Sequence, residues 1–288
     1  MGQAGAQMVR FGTQGFGYPR WVGGFYPAGT TSGRYLAEYA RRLGLVELDT
    51  TYYRTPSAEL IERWAAATPP DFRFAVKVPK LITQERRLRG VERELDAFIT
   101  AVRGFGGRLG PLLFQMSPGF QFPDDLPALR DTLTRLPADL RCAVEFRHRA
   151  WYRDDVEDLL HQHNVAWVLN DLPYLPRALD APVYRRLPAD FTYVRLVGSH
   201  DAPVTDDRLV FDRAADLDAW AALIRGLPDR VRAVYVLANN SYEGHAPATL
   251  RRLADRLGLP LAPNLPPPTP PTEPAQPPLP LFDPSLDR

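Results

Sequence analysis

The sequence predicts an α/β protein in which eight parallel strands, most of them followed by a helix, close into a (β/α)8 barrel. Three observations carry that expectation. Short apolar runs alternate with helix-period segments along most of the chain. Eight such runs within about 250 residues suit a closed barrel better than an open, doubly wound sheet. In most runs one alternate set of residues stays apolar, while the other turns polar only near the C-terminal end, where barrel enzymes carry their sites.

In chain order, the first strand is expected over Met8–Thr13, entering a glycine-rich loop at Gly12–Gly29. Leu45–Asp49, Phe72–Lys77 and Leu112–Gln115 follow, then Cys142–Arg147, Val165–Asp171, Phe191–Val197 and Ala233–Asn240. Helices are expected over Arg34–Leu43, where Tyr35, Leu36, Tyr39, Ala40 and Leu43 share one face, and over Ser57–Ala67, with Ser57 as its cap. Val91–Val102, Leu126–Leu136, Val156–His163, Asp216–Leu227 and Ala246–Leu257 show the same period. Leu172–Asp190 is loop-rich and predicts no regular helix.

An apolar fraction of 45% suffices for a sizeable core, and a net charge of +1 gives no global attraction to nucleic acid or anionic lipid. No basic-then-apolar leader opens the chain and no run of about 18 apolar residues occurs, so a cytoplasmic protein without a membrane span is expected. The lone cysteine, Cys142, sits inside an apolar strand and reads as an inert buried thiol. No Gly-x-Gly-x-x-Gly follows the first strand, which leaves a dinucleotide site without support. Composition changes after Leu259: residues 260–288 hold twelve of the thirty prolines. The chain therefore divides into a barrel domain, 1–259, and an extended, disordered tail.

Strand parity locates the polar residues. Glu47 and Asp49 share a face with Leu45, Lys77 with Ala75, and Gln115 with Leu113. Glu145 and Arg147 share one with Ala143, Arg195 with Tyr193, and Asn239 with Leu237. Asp171 closes the sixth run. Singly, each of these residues reads as a satisfied interior partner. Gathered at one end of the strands, they read as a site.

The same stretches carry a resemblance. Trp21-Val22-Gly23-Gly24-Phe25-Tyr26-Pro27, Val46 through Ser57, and Phe74-Ala75-Val76-Lys77-Val78-Pro79 match in order. Leu109 through Gln115, Ala143 through His148 with Trp151, Tyr193-Val194-Arg195-Leu196, and Tyr235 through Asn240 follow. Together they resemble a bacterial and archaeal family, domain of unknown function 72, also called YecE-like, over roughly residues 9–257. The resemblance implies a TIM-type barrel and a site, but no reaction. Three positions depart from the family pattern: Asp49 stands where Asn is usual, Ser241 where Asp follows two asparagines, and Val197-Gly198 where His-Gly is common.

Glu47 and Glu145, on the second and fifth strands, suit a general acid and a general base if their surroundings separate their pKa values. Arg54, Lys77, Arg147 and Arg195 supply cations for a small anionic substrate bearing phosphate or carboxylate. Gln115, Asn239 and Asn240 would orient that substrate, with Asp171 added to the binding set. Trp21, Phe25, Tyr26, Tyr53 and Trp151 form either a stacking platform for a ring or base, or a packed lid. A mixed set of Glu47, Asp49, Glu145, Asp171, His148 and His200 could offer oxygen and nitrogen ligands to a divalent metal, although no His or Cys spacing enforces one. In the tail, Gln276, Leu279, Leu281 and Phe282 look like the peptide by which bacterial replication and repair proteins dock on the DNA sliding clamp. Three functions follow as expectations: a hydrolase or lyase acting on an anionic, phosphorylated or nucleic-acid-derived substrate; a non-catalytic binding module; and a clamp-recruited DNA-maintenance factor.

Overall fold

A computed structural model describes residues 7–179, 187–198 and 206–261. Its eight strands are β1 (Met8–Gln14), β2 (Leu45–Leu48), β3 (Arg73–Lys77), β4 (Leu109–Gln115), β5 (Cys142–Glu145), β6 (Ala166–Asn170), β7 (Phe191–Leu196) and β8 (Ala233–Ala238). All pair in parallel with their sequence neighbours, and β8 closes on β1 through a register running from Met8 opposite Ala233 to Thr13 opposite Ala238. The result is the expected TIM-type barrel.

Among the described residues, seven α-helices pack outside it: α1 (Tyr35–Ala40), α2 (Ala58–Ala66), α3 (Glu92–Val102), α4 (Leu126–Arg135), α5 (Asp154–Gln162), α6 (Ala214–Arg225) and α7 (Ala246–Leu257). Local chemistry sets their ends. The Ser57 hydroxyl accepts the Leu60 N–H at 3.3 Å and starts α2. Asp154, Asp155 and Glu157 place negative charge in the first turn of α5. Gly258, at φ 69°, closes α7 in the left-handed conformation that glycine adopts without strain. Between β6 and β7 the described residues contain no α-helix, as the loop-rich composition there predicts.

The period-two alternation sorts residues into two cores. Outward-facing Val46, Phe74, Val144, Val194 and Val236 join the helix-packed core. Inward-facing Leu45, Ala75, Leu113, Ala143, Val168, Tyr193 and Leu237 fill the barrel itself. Gly12 is required on this inner face, because a Cβ there would meet the Leu45 carbonyl oxygen at 2.3 Å. Cys142 lies buried on the outer side, and burial pushes its thiol up to about 12, too high to yield a thiolate near neutrality. Among the described residues no helix is long and apolar enough to cross a membrane.

Candidate functional site

At the C-terminal ends of the strands the inner face changes from apolar to charged within one layer. Arg195, from β7, is 2% exposed and lies at the centre. Its Nε and Nη2 hold the two oxygens of Glu47 (β2) at 3.1 and 2.6 Å. Its Nη1 reaches Glu145 Oε2 (β5) and, at 3.1 Å, Gln115 Oε1 (β4). Tyr193, two residues earlier on β7, donates its hydroxyl to Glu47 Oε2 at 2.7 Å. Arg147 Nε pairs with the other oxygen of Glu145, and its Nη1 donates to the Tyr174 hydroxyl at 3.0 Å. One guanidinium therefore ties β2, β4, β5 and β7 together across the barrel.

This arrangement bears on the roles read from sequence, because Glu47 and Glu145 both grip the same buried cation. Burial alone would raise Glu145, but Arg147 and then Arg195 outweigh it and hold its carboxyl below the usual range. Arg195 already has Glu47, Glu145 and Gln115 on its nitrogens, so it holds carboxylates rather than offering a fork to an incoming anion.

Beside this array stands Asp49, just past β2. Burial pushes its carboxyl up to about 6, Lys77 at 3.6 Å opposes that rise, and the neighbouring Glu47 adds to it. The Lys77 ammonium also sits 4.2 Å from the Tyr52 ring centroid, within cation–π range. Asp49 keeps 14% of its side-chain surface exposed and Lys77 12%, so solvent or a ligand can reach both. Tyr18 borders this corner: it donates its hydroxyl to the Gln14 carbonyl at 2.7 Å, and burial first, then Asp49, raises its phenol.

An amide row completes the layer. Asn239 donates to Gln14 Oε1 at 3.0 Å and accepts the Ser241 N–H at 2.8 Å. Gln14 lies opposite Glu47 in the β1–β2 register. On β6, Asn170 shares its face with Val168, is 1% exposed, and has no hydrogen-bond partner on either side-chain polar atom among the described residues. Gln14 and Asn170 are absent from the sequence-derived set, although the same strand parity identifies both.

Other candidates fall elsewhere. Trp151 is a core residue: it is fully buried, stacks on Phe120 and Phe146, and donates its indole N–H to the Phe120 carbonyl at 2.7 Å. It therefore offers a ligand no face. Trp21 and Tyr26 are likewise buried in an aromatic cluster with Phe25, which is the packed-lid arrangement. Asp171 pairs at 2.9 Å with Arg213, the residue preceding α6. Asn240 accepts the Ala246 N–H at 2.8 Å and fixes the start of α7. Tyr53 and Arg54 lie exposed on the turn after β2, and Arg54 makes no hydrogen bond or ion pair among the described residues. His200 and the tail residues Gln276, Leu279, Leu281 and Phe282 lie outside the described residues.

No three carboxylate, imidazole or thiolate groups converge on one point among the described residues. With Glu47 and Glu145 engaged by guanidinium, the layer fits a divalent cation poorly.

Comparison with known proteins agrees with this architecture. The family model described as "Protein of unknown function DUF72" matches residues 10–274. UPF0759 protein YecE of Escherichia coli is 32% identical over 223 residues, covering 71% of this chain and 78% of that protein. UPF0759 protein YunF of Bacillus subtilis is 25% identical over 272 residues, covering 88% and 95%. A crystal structure of a DUF72 family protein from Thermotoga maritima superposes with a TM-score of 0.69 at 27% identity, covering 87% of this chain and 99% of that one. Another, from Enterococcus faecalis, gives 0.71 at 24%, covering 88% and 96%. The family match, spanning nearly all of the barrel and reaching into the tail, is the conclusion toward which the ordered motifs point: the chain belongs to the DUF72 family.

Proposed function

We propose that the C-terminal mouth of the barrel is the site of an enzyme of hydrolase or lyase type acting on an anionic substrate, with Asp49 moving the proton. Membership of the family supplies a fold and leaves the reaction to be argued from the site. The observation that carries the reading is a carboxyl raised to about 6, within reach of solvent and beside an ammonium. A carboxyl in that range exchanges protons readily near neutrality, as a general acid or base must. The Glu47–Arg195–Glu145–Arg147 array acts beneath it as a rigid, mutually neutralised floor. Lys77 and the rim residue Arg54 supply positive charge toward the substrate, and the Gln115, Asn170 and Asn239 amides supply orientation. A phosphorylated or nucleic-acid-derived compound fits this charge pattern.

The test is a panel of phosphomonoesters, phosphodiesters, nucleotides and short oligonucleotides incubated with the full chain. Turnover should follow an apparent pKa of about 6 and be abolished in Asp49→Asn. Turnover that persists unchanged in that variant would remove Asp49 from the chemistry. Binding of panel members without turnover would favour a non-catalytic binding module.

The tail supports a second reading, recruitment to the sliding clamp, on Gln276, Leu279, Leu281 and Phe282 alone. Titrating a peptide of residues 274–288 against a bacterial clamp decides it, and absence of binding at high micromolar concentration ends it.

A further inference from the structure

At the opposite pole, where the strands begin, the barrel opens into a cavity of about 480 Å³ lined by Arg73, Arg103, Asp139, Arg141 and Tyr235 among others. That volume lies in the range of small-molecule sites, about 300–1,000 Å³. Its charge is unbalanced. Asp139, the one carboxylate in the lining, is held by Arg103 through two contacts of 2.8 and 2.9 Å. Arg73 and Arg141 pair with no carboxylate among the described residues, and neither does Arg10 of β1 beside them.

The three side chains are committed through a single nitrogen each. Arg10 Nη1 donates to the Asp71 carbonyl at 2.9 Å, Arg73 Nη1 to the Phe72 carbonyl at 2.9 Å, and Arg141 Nη1 to the Tyr235 hydroxyl at 2.6 Å. Arg73 and Arg141 both line the cavity. Arg141 is further braced over the Phe191 and Tyr235 rings, at 5.6 and 5.9 Å from their centroids. Burial lowers Arg73, and so do the like charges of Arg10 and Arg141, while Tyr235 and the Asp71 carboxylate oppose the fall without reversing it. Such a cluster is unfavourable when empty and becomes favourable when an anion enters.

We propose that the N-terminal pole of the barrel is a second ligand site, for a phosphate-bearing small molecule held by the guanidinium groups of Arg73 and Arg141. Two forks converging on one cavity match the oxygens of a phosphate, and the aromatic floor at Tyr235 suits the organic portion of an ester. The site is separate from the Asp49 mouth and stands whether or not that mouth is catalytic.

Calorimetric titration of the full chain with inorganic phosphate at fixed ionic strength tests it. Binding at this pole should weaken at least about tenfold in Arg73→Gln and in Arg141→Gln. It should be unchanged in Arg93→Gln, an exposed arginine of α3 outside the cavity lining. Glycerol 3-phosphate distinguishes the sources: tighter binding than phosphate marks an ester as the ligand, and equal binding marks free phosphate. Both Gln variants should melt no lower than the parent protein, since each relieves like-charge repulsion. Should either fail to fold, crystals of the parent soaked in selenate provide an independent reading, with an anomalous peak expected between Arg73 and Arg141. Phosphate affinity identical in all variants, or a peak confined to the Asp49 mouth, overturns the proposal.

Discussion

Replacing Arg195 with Met removes the cation on which the upper layer is built. Glu47 and Glu145 have side chains with 0% exposure, so neither can turn to water for a substitute. Glu145 retains Arg147, while Glu47 keeps only the Tyr193 hydroxyl among the contacts described above. Removing one partner of a buried ion pair costs about 3–5 kcal/mol, and here Glu47 carries the larger share. At roughly 2–4 °C per kcal/mol for a domain of this size, the melting temperature should fall by about 6–20 °C near neutral pH. The sign of the pH dependence follows from Glu145. Its folded-state pKa is depressed, so the stability it contributes is present above the unfolded value and lost as pH falls through the folded one. Without Arg195 that contribution shrinks. The gap between Arg195→Met and the parent, followed by circular dichroism melts, should therefore narrow between about pH 5 and about pH 3, as pH falls past the unfolded glutamate value toward the folded one. Adding Glu47→Gln to Arg195→Met should restore part of the loss, as a coupled pair requires. A fall of less than about 2 °C near neutrality, or a gap that is the same at both pH values, would refute the reasoning.

Asp49 behaves in the opposite sense: its pKa rises from 3.8 to about 6 on folding, so its ionisation opposes folding as pH climbs between those values. Asp49→Asn should therefore raise stability near neutrality by up to about 3 kcal/mol and leave it unchanged near pH 3, as urea denaturation at the two pH values would show. Trp151→Ala should cost about 3–5 kcal/mol in the same assay, because it empties a stacked core position; a near-neutral result would contradict that placement. Ser57→Ala should lower stability by about 1 kcal/mol through loss of the α2 cap, and Ser57→Asn should restore it. Asn170→Ala should leave stability unchanged or slightly higher while weakening ligand binding at the mouth, a split that calorimetry and melting together can resolve.

The fold is legible because a parallel barrel buries both faces of its strands, so the strands appear as short apolar runs. The start of β4 is the exception. Leu109-Gly110-Pro111 does not look like strand, yet Gly110 is needed where a Cβ would meet the Phe74 carbonyl oxygen at 2.8 Å. The inward-facing polar layer is legible through parity. Asn170 escapes only because the neighbouring Asp171 draws attention as a carboxylate, and Gln14 because the first run reads as ending at Thr13. Roles are less legible than positions. Arg195 meets Glu47 across 148 residues of sequence, and nothing local reveals that it also takes Glu145. Nor can a sequence tell an aromatic lid from an aromatic platform. Trp21 and Trp151 differ from ligand-stacking residues only in what surrounds them once the chain is folded.

The Arg195 crosslink has one more consequence. With its carboxylates around it, and Leu45, Leu113 and Tyr193 filling the space below, the axis of the cylinder is stoppered midway. Nothing can travel from one pole to the other through the middle, so the two openings are separate rooms sharing a wall. A compound entering at the Arg73 end would be sensed at the Asp49 end only through movement of that partition.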